Sequence, residues 1–379
     1  MRPVWLLFLL LGSCAVAPSG DPGGASGSAQ GAALRSQYER PPDQWPAPTL
    51  DAGIEHRELG PVPARVRPTD PRTDPQIKAR EKLGELLFFD GRLSPGGQMA
   101  CVSCHDAELG FADGRATSFG RDMRPLTRNA PSLLNTALRT NWFWDGRAAS
   151  LEQQAELVLT NPDEMHSSKE HIERFLRSSD GYRKHFEAAF GPGEPGLEQV
   201  LTALAAFEAT LVSDGSSAFD GFLAGEYSRL DDSAVRGLHL FRTRGRCLNC
   251  HSGPLLTDDR FHNLGLTYYG RKQEDLGRYR QTGKPEDVGR FRTPSLRNVE
   301  RTAPYMHNGL FELDGVLNMY DVGMPDIRPD EQQASDPLFP VKSPHIQETN
   351  LSAQDKADLR AFLRSLTERK RRIAPPTLP

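Results

Sequence analysis

The chain has no cysteine to spare for a disulfide. Of five cysteines in 379 residues, four stand in two Cys-x-x-Cys-His steps and the fifth, Cys14, lies in the N-terminal segment. It also has little that could cross a membrane: the apolar run from Val4 to Leu11 is too short to span a bilayer. Charge of one sign is lacking too. Lys and Arg number 46 against 50 Asp and Glu, and the formal net charge of −4 argues against nucleic acid as a partner. Clear pairs of alternating strands are missing, so the fold class is expected to be mainly α. The length of 379 residues leaves room for two or three domains.

What is present is organised around the paired cysteines. They form Cys101-Val102-Ser103-Cys104-His105 and again Cys247-Leu248-Asn249-Cys250-His251. Cys-x-x-Cys-His is the attachment signature of c-type haem. Two thiols three positions apart can reach two vinyl groups on one porphyrin edge. The His that follows falls under the ring and offers a nitrogen to the iron. A zinc site also uses Cys-x-x-Cys, but it would not require His at the same offset twice. A redox dithiol would not need a second copy. The pair predicts two covalently bound haems c, attached at Cys101, Cys104, Cys247 and Cys250, with His105 and His251 on the irons.

The N-terminal segment reads as an export signal. Arg2 precedes the apolar run, and Leu11-Gly12-Ser13-Cys14 resembles a bacterial lipobox, in which the Cys becomes lipidated. Ala15-Val16-Ala17 is a rival cleavage site, disfavoured by Pro18 after the cut. Both readings place the protein in the periplasm, and the first gives it a lipid anchor at Cys14 as its membrane contact. Residues 1–13 are expected to be a signal peptide. Residues 14–74, rich in Gly, Ser, Ala and Pro, are expected to be a flexible tether, mostly disordered at first and then lying along the surface.

Helices are expected over 75–88, from Ser150 towards Asn161, over 197–212 and 231–244, and from Ser352, where Asp355 is placed for a capping box. The polar, Gly-rich stretch 267–292 reads as a surface loop, and the tail after Thr367 as a solvated end. Helix, turn and haem motif occur twice, which predicts two cytochrome c-like haem domains packed against each other. Their expected extents are 75–230 and 231–379, with the last helix free to pack on the N-terminal domain.

Several stretches resemble the bacterial di-haem cytochrome c peroxidase family, which includes MauG. They are Leu86-Leu87-Phe88-Phe89-Asp90, both haem motifs, Arg128-Asn129-Ala130-Pro131, Phe143-Trp144-Asp145-Gly146-Arg147, Asn161-Pro162-Asp163-Glu164-Met165, Pro294-Ser295-Leu296-Arg297-Asn298-Val299 and Ala303-Pro304-Tyr305-Met306-His307-Asn308-Gly309. The resemblance implies a peroxide-reactive N-terminal haem, a C-terminal haem that serves as the electron-entry or charge-storage site, and a calcium ion between the domains. It implies Trp144 between the haems, and Gln154 and Glu164 above the first. Peroxide heterolysis needs a proton moved from the inner to the outer oxygen, which a carboxylate such as Glu164 can shuttle. An amide such as Gln154 can orient the peroxide. The resemblance further implies the Asn129 side chain and the carbonyls of Thr302 and Pro304 as calcium ligands, the oxygen donors that calcium takes.

Two departures from the family pattern stand out. Many members carry a His sixteen residues after the first motif His, which caps the iron; here Ser118-Phe119-Gly120-Arg121 puts Arg there. Arg stays protonated and does not ligate iron. His166 is a substitute to weigh, though it reads as an exposed residue beside Glu164. At the second haem, peroxidases use Met and MauG uses Tyr as sixth ligand, and Val316-Leu317-Asn318-Met319-Tyr320 puts Tyr320 there, with Met319 as the alternative. The leading functional reading is a peroxidase that reduces hydrogen peroxide with electrons from a small periplasmic donor, a cytochrome c or a cupredoxin. A second is a MauG-like enzyme that uses peroxide to oxidise residues of a partner protein. A third is a plain electron-transfer cytochrome with two six-coordinate haems.

Overall fold

The computed structural model describes residues 23–63, 74–370 and 372–379. The expected signal peptide and Cys14 lie outside the described residues. In chain order the helices are α1 (Gly23–Tyr38), α2 (Pro75–Phe89), α3 (Leu151–Thr160), α4 (Lys169–Arg177), α5 (Asp180–Phe190), α6 (Leu197–Glu208), α7 (Ala218–Leu223), α8 (Asp232–Arg242), α9 (Tyr279–Thr282), α10 (Leu313–Asp321) and α11 (Ala353–Ser365). Among the described residues there is one sheet, two short strands β1 (Phe261–His262) and β2 (Phe291–Arg292), paired antiparallel with Phe261 opposite Arg292. No described helix is long and apolar enough to cross a membrane.

Local chemistry sets where the helices begin. Asp74 accepts from the Gln76 amide at 3.0 Å and Pro75 opens α2. Ser150 accepts from the Gln153 amide at 3.1 Å to start α3, and Asp231 from the Ala234 amide at 2.7 Å to start α8. Ser352 and Asp355 form the expected reciprocal box at α11. The helices α4 and α5 were not foreseen, although Ser168 and Ser179 cap them in the same way.

Two cores form on one plan. In the first, α2 crosses α6; in the second, α8 crosses α11. Each crossing turns on a glycine. A Cβ on Gly84 would meet the Ala203 carbonyl and come within 2.8 Å of the Phe207 Cβ, and one on Gly237 would meet the Asp358 carbonyl and come within 2.8 Å of the Phe362 Cβ. One turn further along, Phe88 packs on Phe207 with centroids 5.1 Å apart, and Phe241 packs on Phe362 at 5.1 Å. The change from first core to second falls between Leu211 and Phe219 rather than at 230, because α7 buries Phe219 and Phe222 with α8 and α11.

Three expectations need correction. Residues 23–63 are not a free tether: α1 lies on α8, and Tyr38, Trp45 and Leu59 are buried in the second core. Arg242, 1% exposed, holds this strap by an ion pair to Glu58 and a 2.7 Å bond to the Pro46 carbonyl. Three apolar anchors without a period, set among Gly and Pro, supply burial that composition does not reveal. The last helix stays with the second core through Leu359, Phe362, Leu363 and Leu366. It is the tail that reaches across: Ile373 packs on the first core, and the Pro379 carbonyl accepts from Arg92 at 2.9 Å.

Candidate functional site

Each Cys-x-x-Cys-His step folds into a single tight turn, Cys101–Ser103 and Cys247–Asn249. The His105 and His251 amides donate back to the Cys101 and Cys247 carbonyls at 3.1 and 2.9 Å. Both thiols and the imidazole are thereby held on one short arc. His105 Nδ1 donates to the Phe111 carbonyl at 2.9 Å, and His251 Nδ1 to the Leu256 carbonyl at 3.0 Å. A carbonyl only accepts, so Nδ1 carries the proton and Nε2 keeps its lone pair for a metal. Phe111 and Leu256 present those carbonyls from the left-handed region, at φ 58° and 50°. Burial lowers the pKa of both histidines and keeps them neutral.

The thiols are not activated as a redox pair. Burial pushes Cys101, Cys247 and Cys250 up to about 12 and raises Cys104 as well, the opposite of an activated dithiol. One cluster among the described residues, Cys250, Asp258 and His262, brings metal-binding atoms within 4.8 Å. Its Cys belongs to the second motif, and its His and Asp bond to each other at 2.8 Å.

Two cavities open on the motifs. The first, about 1000 Å³, is lined by Cys101, Cys104 and His105, together with Trp144, Gln154 and Glu164. The second is narrower, about 210 Å³, and is lined by Cys247, Cys250, His251 and Tyr320. Trp144, Asn129, Arg139, Arg292 and His307 line both. Trp144 is buried in the shared wall, its indole N–H donating to the Asn129 carbonyl at 2.9 Å. His307 stacks on Phe291 at 3.6 Å between the cavities, and burial lowers its pKa to about 4.

The residues fit haem in both places. Beyond the thiols and the free Nε2 atoms, the shared wall carries uncompensated positive charge. Arg139 Nε is buried without a hydrogen-bond partner, and Arg292, 2% exposed, pairs with Asp259 at 3.3 Å. Burial and then Arg292 depress the Arg139 pKa, with Asp259 opposing. A guanidinium nevertheless stays protonated, so two buried cations share one carboxylate, and the propionates of a haem are anions of the kind they require. Neither arginine was singled out in the sequence. Arg139 follows an apolar stretch and Arg292 sits on β2, and only their convergence shows a role.

Gln154 is placed by α3 and Glu164 by the turn that follows it, so both face the first cavity. Asn161 Nδ2 donates to Glu164 Oε1 at 2.9 Å, and burial raises the Glu164 pKa against Arg147 and Asn161. Arg121 is not part of the cavity lining; it pairs with Asp122 at 3.2 Å. His166 is exposed and also lies outside the lining. Tyr320 lines the second cavity and Met319 does not. Burial, and then Cys250 and Cys247, raise the Tyr320 pKa, and its hydroxyl makes no hydrogen bond among the described residues. Asn129, Thr302 and Pro304 border the second cavity together. Asn129 Nδ2 donates to the Arg115 carbonyl at 2.8 Å, which leaves its Oδ1 free to accept.

The stretch 267–292 proves to be more than surface loop. Lys272, Asp275 and Gln281 wall the first cavity, although they follow the second motif in the chain. Arg128 clamps them there, bonded to Asp275 at 2.7 and 2.9 Å and to Asp145 at 2.7 Å. Opposite charges far apart in sequence carry no signal of such a pairing.

Residues 78–228 match the family model described as di-haem cytochrome c peroxidase. The chain is 38% identical to the methylamine utilization protein MauG of Methylorubrum extorquens, over 88% of this chain and 92% of that protein. It is 39% identical to the cytochrome c551 peroxidase of Nitrosomonas europaea, over 62% of this chain and 70% of that protein. Among solved structures it resembles a MauG-like protein associated with microbial copper homeostasis. That match has a TM-score of 0.71 at 34% identity, covering 81% of this chain and 95% of the other.

Proposed function

The chain belongs to the di-haem cytochrome c peroxidase family, and on that premise we propose that it reduces hydrogen peroxide in the first cavity with electrons delivered through the second. It is a peroxidase-type oxidoreductase with two haems c. The observation that carries the division of labour is that Gln154, Glu164 and His105 line one cavity, while Trp144 lines that cavity and the other.

The bound haems supply the irons that take up electrons and bind peroxide. His105 and His251 offer neutral Nε2 atoms to those irons, each aimed by a backbone carbonyl at Nδ1. Arg139 and Arg292 would balance the propionates of bound haem. In the first cavity Glu164 moves a proton between the peroxide oxygens, and burial favours the protonated carboxyl that a donor needs. The Gln154 amide holds the peroxide in register. Trp144 provides the aromatic bridge between the cavities. Hydrogen peroxide, two electrons and two protons give two waters. Steady-state assays with a reduced small cytochrome c or cupredoxin should show Glu164→Gln slower by ~10²–10⁴ with both haems retained. A variant as fast as the wild type would remove Glu164 from the reaction.

A second reading, oxidation of residues on a partner protein, is favoured by Tyr320. A phenol, and not the Met319 thioether, borders the second cavity. Tyrosinate ligation would give a low-spin ferric haem without the near-infrared sulfur-to-iron band. Observing that band, and its loss in Met319→Ala, would return the role to Met319. Asn129 Oδ1 with the Thr302 and Pro304 carbonyls would hold calcium between the cavities, and chelation should then change the spectra of both haems. Placement in the periplasm rests on the export-like start of the chain and on covalent haem. Anchoring at Cys14 is decided by mass spectrometry of the mature N-terminus, where an unlipidated chain starting beyond Cys14 refutes it.

A further inference from the structure

The two cores carry an internal control. The glycine crossings align Ala203 with Asp358 and Phe207 with Phe362. In that register Leu204 corresponds to Leu359, and Glu208 corresponds to Leu363. Leu204 and Glu208 line the first cavity, and Leu359 and Leu363 line the second. The same scaffold position therefore carries an apolar side chain where electrons enter and a carboxyl where peroxide reacts. The crossing itself does not require the carboxyl, since α8 and α11 form it with leucine.

Glu208 is 5% exposed, and its Oε2 has no hydrogen-bond partner. The charged groups that act on it are all of one sign or neutral. Glu152 on α3 repels it, and the Cys101 thiol of the motif lies within its field. The first core, to which α2, α4 and α6 contribute, is apolar, with Leu83, Leu87, Ile172 and Leu176 among its buried members. Burying an unpaired carboxylate here would cost several kcal/mol, so the group is held as a carboxylic acid. Burial, and then Glu152, push it up to about 8.

We propose that Glu208 is a second proton-carrying carboxyl of the first cavity, which keeps its proton while that site is reduced and gives it up when the site is oxidised. The inference rests on the peroxidase reading of this cavity. One-electron oxidation there adds one positive charge beside this buried carboxyl, and ionisation of Glu208 cancels it. The carboxyl becomes carboxylate, and its proton leaves towards solvent or peroxide. One electron and one proton depart together. Hydrogen peroxide consumes two of each; the second electron comes through the second cavity and the second proton from solvent, and reduction of the site by the donor draws the Glu208 proton back.

The test is a potentiometric titration of the first haem in the holoenzyme between about pH 5 and 9, for the wild type, Glu208→Gln and Glu208→Leu. The wild-type potential should fall with pH, approaching a tenfold change in equilibrium constant per pH unit, ~59 mV for one electron. Both variants should keep two haems per chain and lose most of that slope, and Glu208→Asp should restore part of it. Infrared redox difference spectra should show a protonated-carboxyl band in the wild type and in Glu164→Gln, absent in Glu208→Gln. An unchanged slope in Glu208→Gln, or a wild-type spectrum without the band, overturns the proposal. The band needs no Glu208 variant, so failure of those variants to fold leaves the answer intact. Loss of activity with an unchanged slope assigns Glu208 a structural role and also overturns it. Failure of the peroxidase reading shows separately, as wild-type protein that does not turn over peroxide.

Discussion

At the scale of single residues, buried ionisable groups without partners mark the chemistry. Arg139, Glu208 and Tyr320 each sit where a soluble domain would ordinarily place an apolar side chain. Glu208 makes this measurable through stability. Its ordinary value of 4.5 is raised to about 8 by burial, then by Glu152. The folded state binds this proton more tightly than the unfolded chain does. Its contribution is therefore fully present below pH 4.5 and is lost as pH rises to about 8. Glu208→Gln should flatten that decline, so its Tm advantage over the wild type grows across the window. A constant Tm difference throughout would mean that the carboxyl is not held neutral. Asp90 shows the reverse case. Burial would raise it, but Arg92 and the Tyr182 hydroxyl, bonded at 2.8 Å, lower it, so it stabilises the fold as a carboxylate at neutral pH.

At the scale of elements, the repeated helix crossing sets the site. It places Leu204 and Glu208 over one cavity, and Leu359 and Leu363 over the other. Gly84→Ala and Gly237→Ala should each be strongly destabilising, by ~1–3 kcal/mol or more, because the added methyl meets backbone that cannot give way. Denaturant unfolding would measure this. The loss should be selective, with Gly237→Ala loosening the second haem and Gly84→Ala the first. A pair of variants with wild-type midpoints would show that the crossings are looser than 2.8 Å implies. The N-terminal strap is another such element. Its anchor, Arg242, bonds the Tyr38 hydroxyl at 3.2 Å as well as Glu58 and Pro46, which ties residues 38–58 to the helix that leads into the second motif.

At the scale of the whole molecule, the two halves share one wall and one task. The stretch carrying Asp275 reaches over from the second half to close the first cavity, and Arg128 locks it there. In members that cap the first iron with a His, reduction must come before peroxide. Here Arg121 lies outside the lining of the first cavity and pairs with Asp122, so the first haem should be open when both irons are ferric. Electron paramagnetic resonance of the fully oxidised protein should show a high-spin ferric signal near one haem per chain. Two low-spin signals, with peroxide reacting only after one-electron reduction, would mean that another side chain caps the iron.

The haem motifs, the mainly helical class, the capped helix starts and the family were legible in the order of residues alone. Each depends on neighbours a few positions apart: two thiols and a His on one turn, a Ser or Asp before its helix, an apolar side every third or fourth residue. Other features required the fold. Arg139 meets Arg292, Arg128 meets Asp275, and Trp45 meets the second core through contacts distant in sequence, with no period to announce them. Burial was equally invisible. Glu208 follows Phe207 in an ordinary amphipathic helix, and only the alignment of α6 on α11 shows a carboxyl standing where its counterpart is Leu363. Local chemistry decided which elements form, and the close approach of helices at two glycines decided which side chains face the cavities.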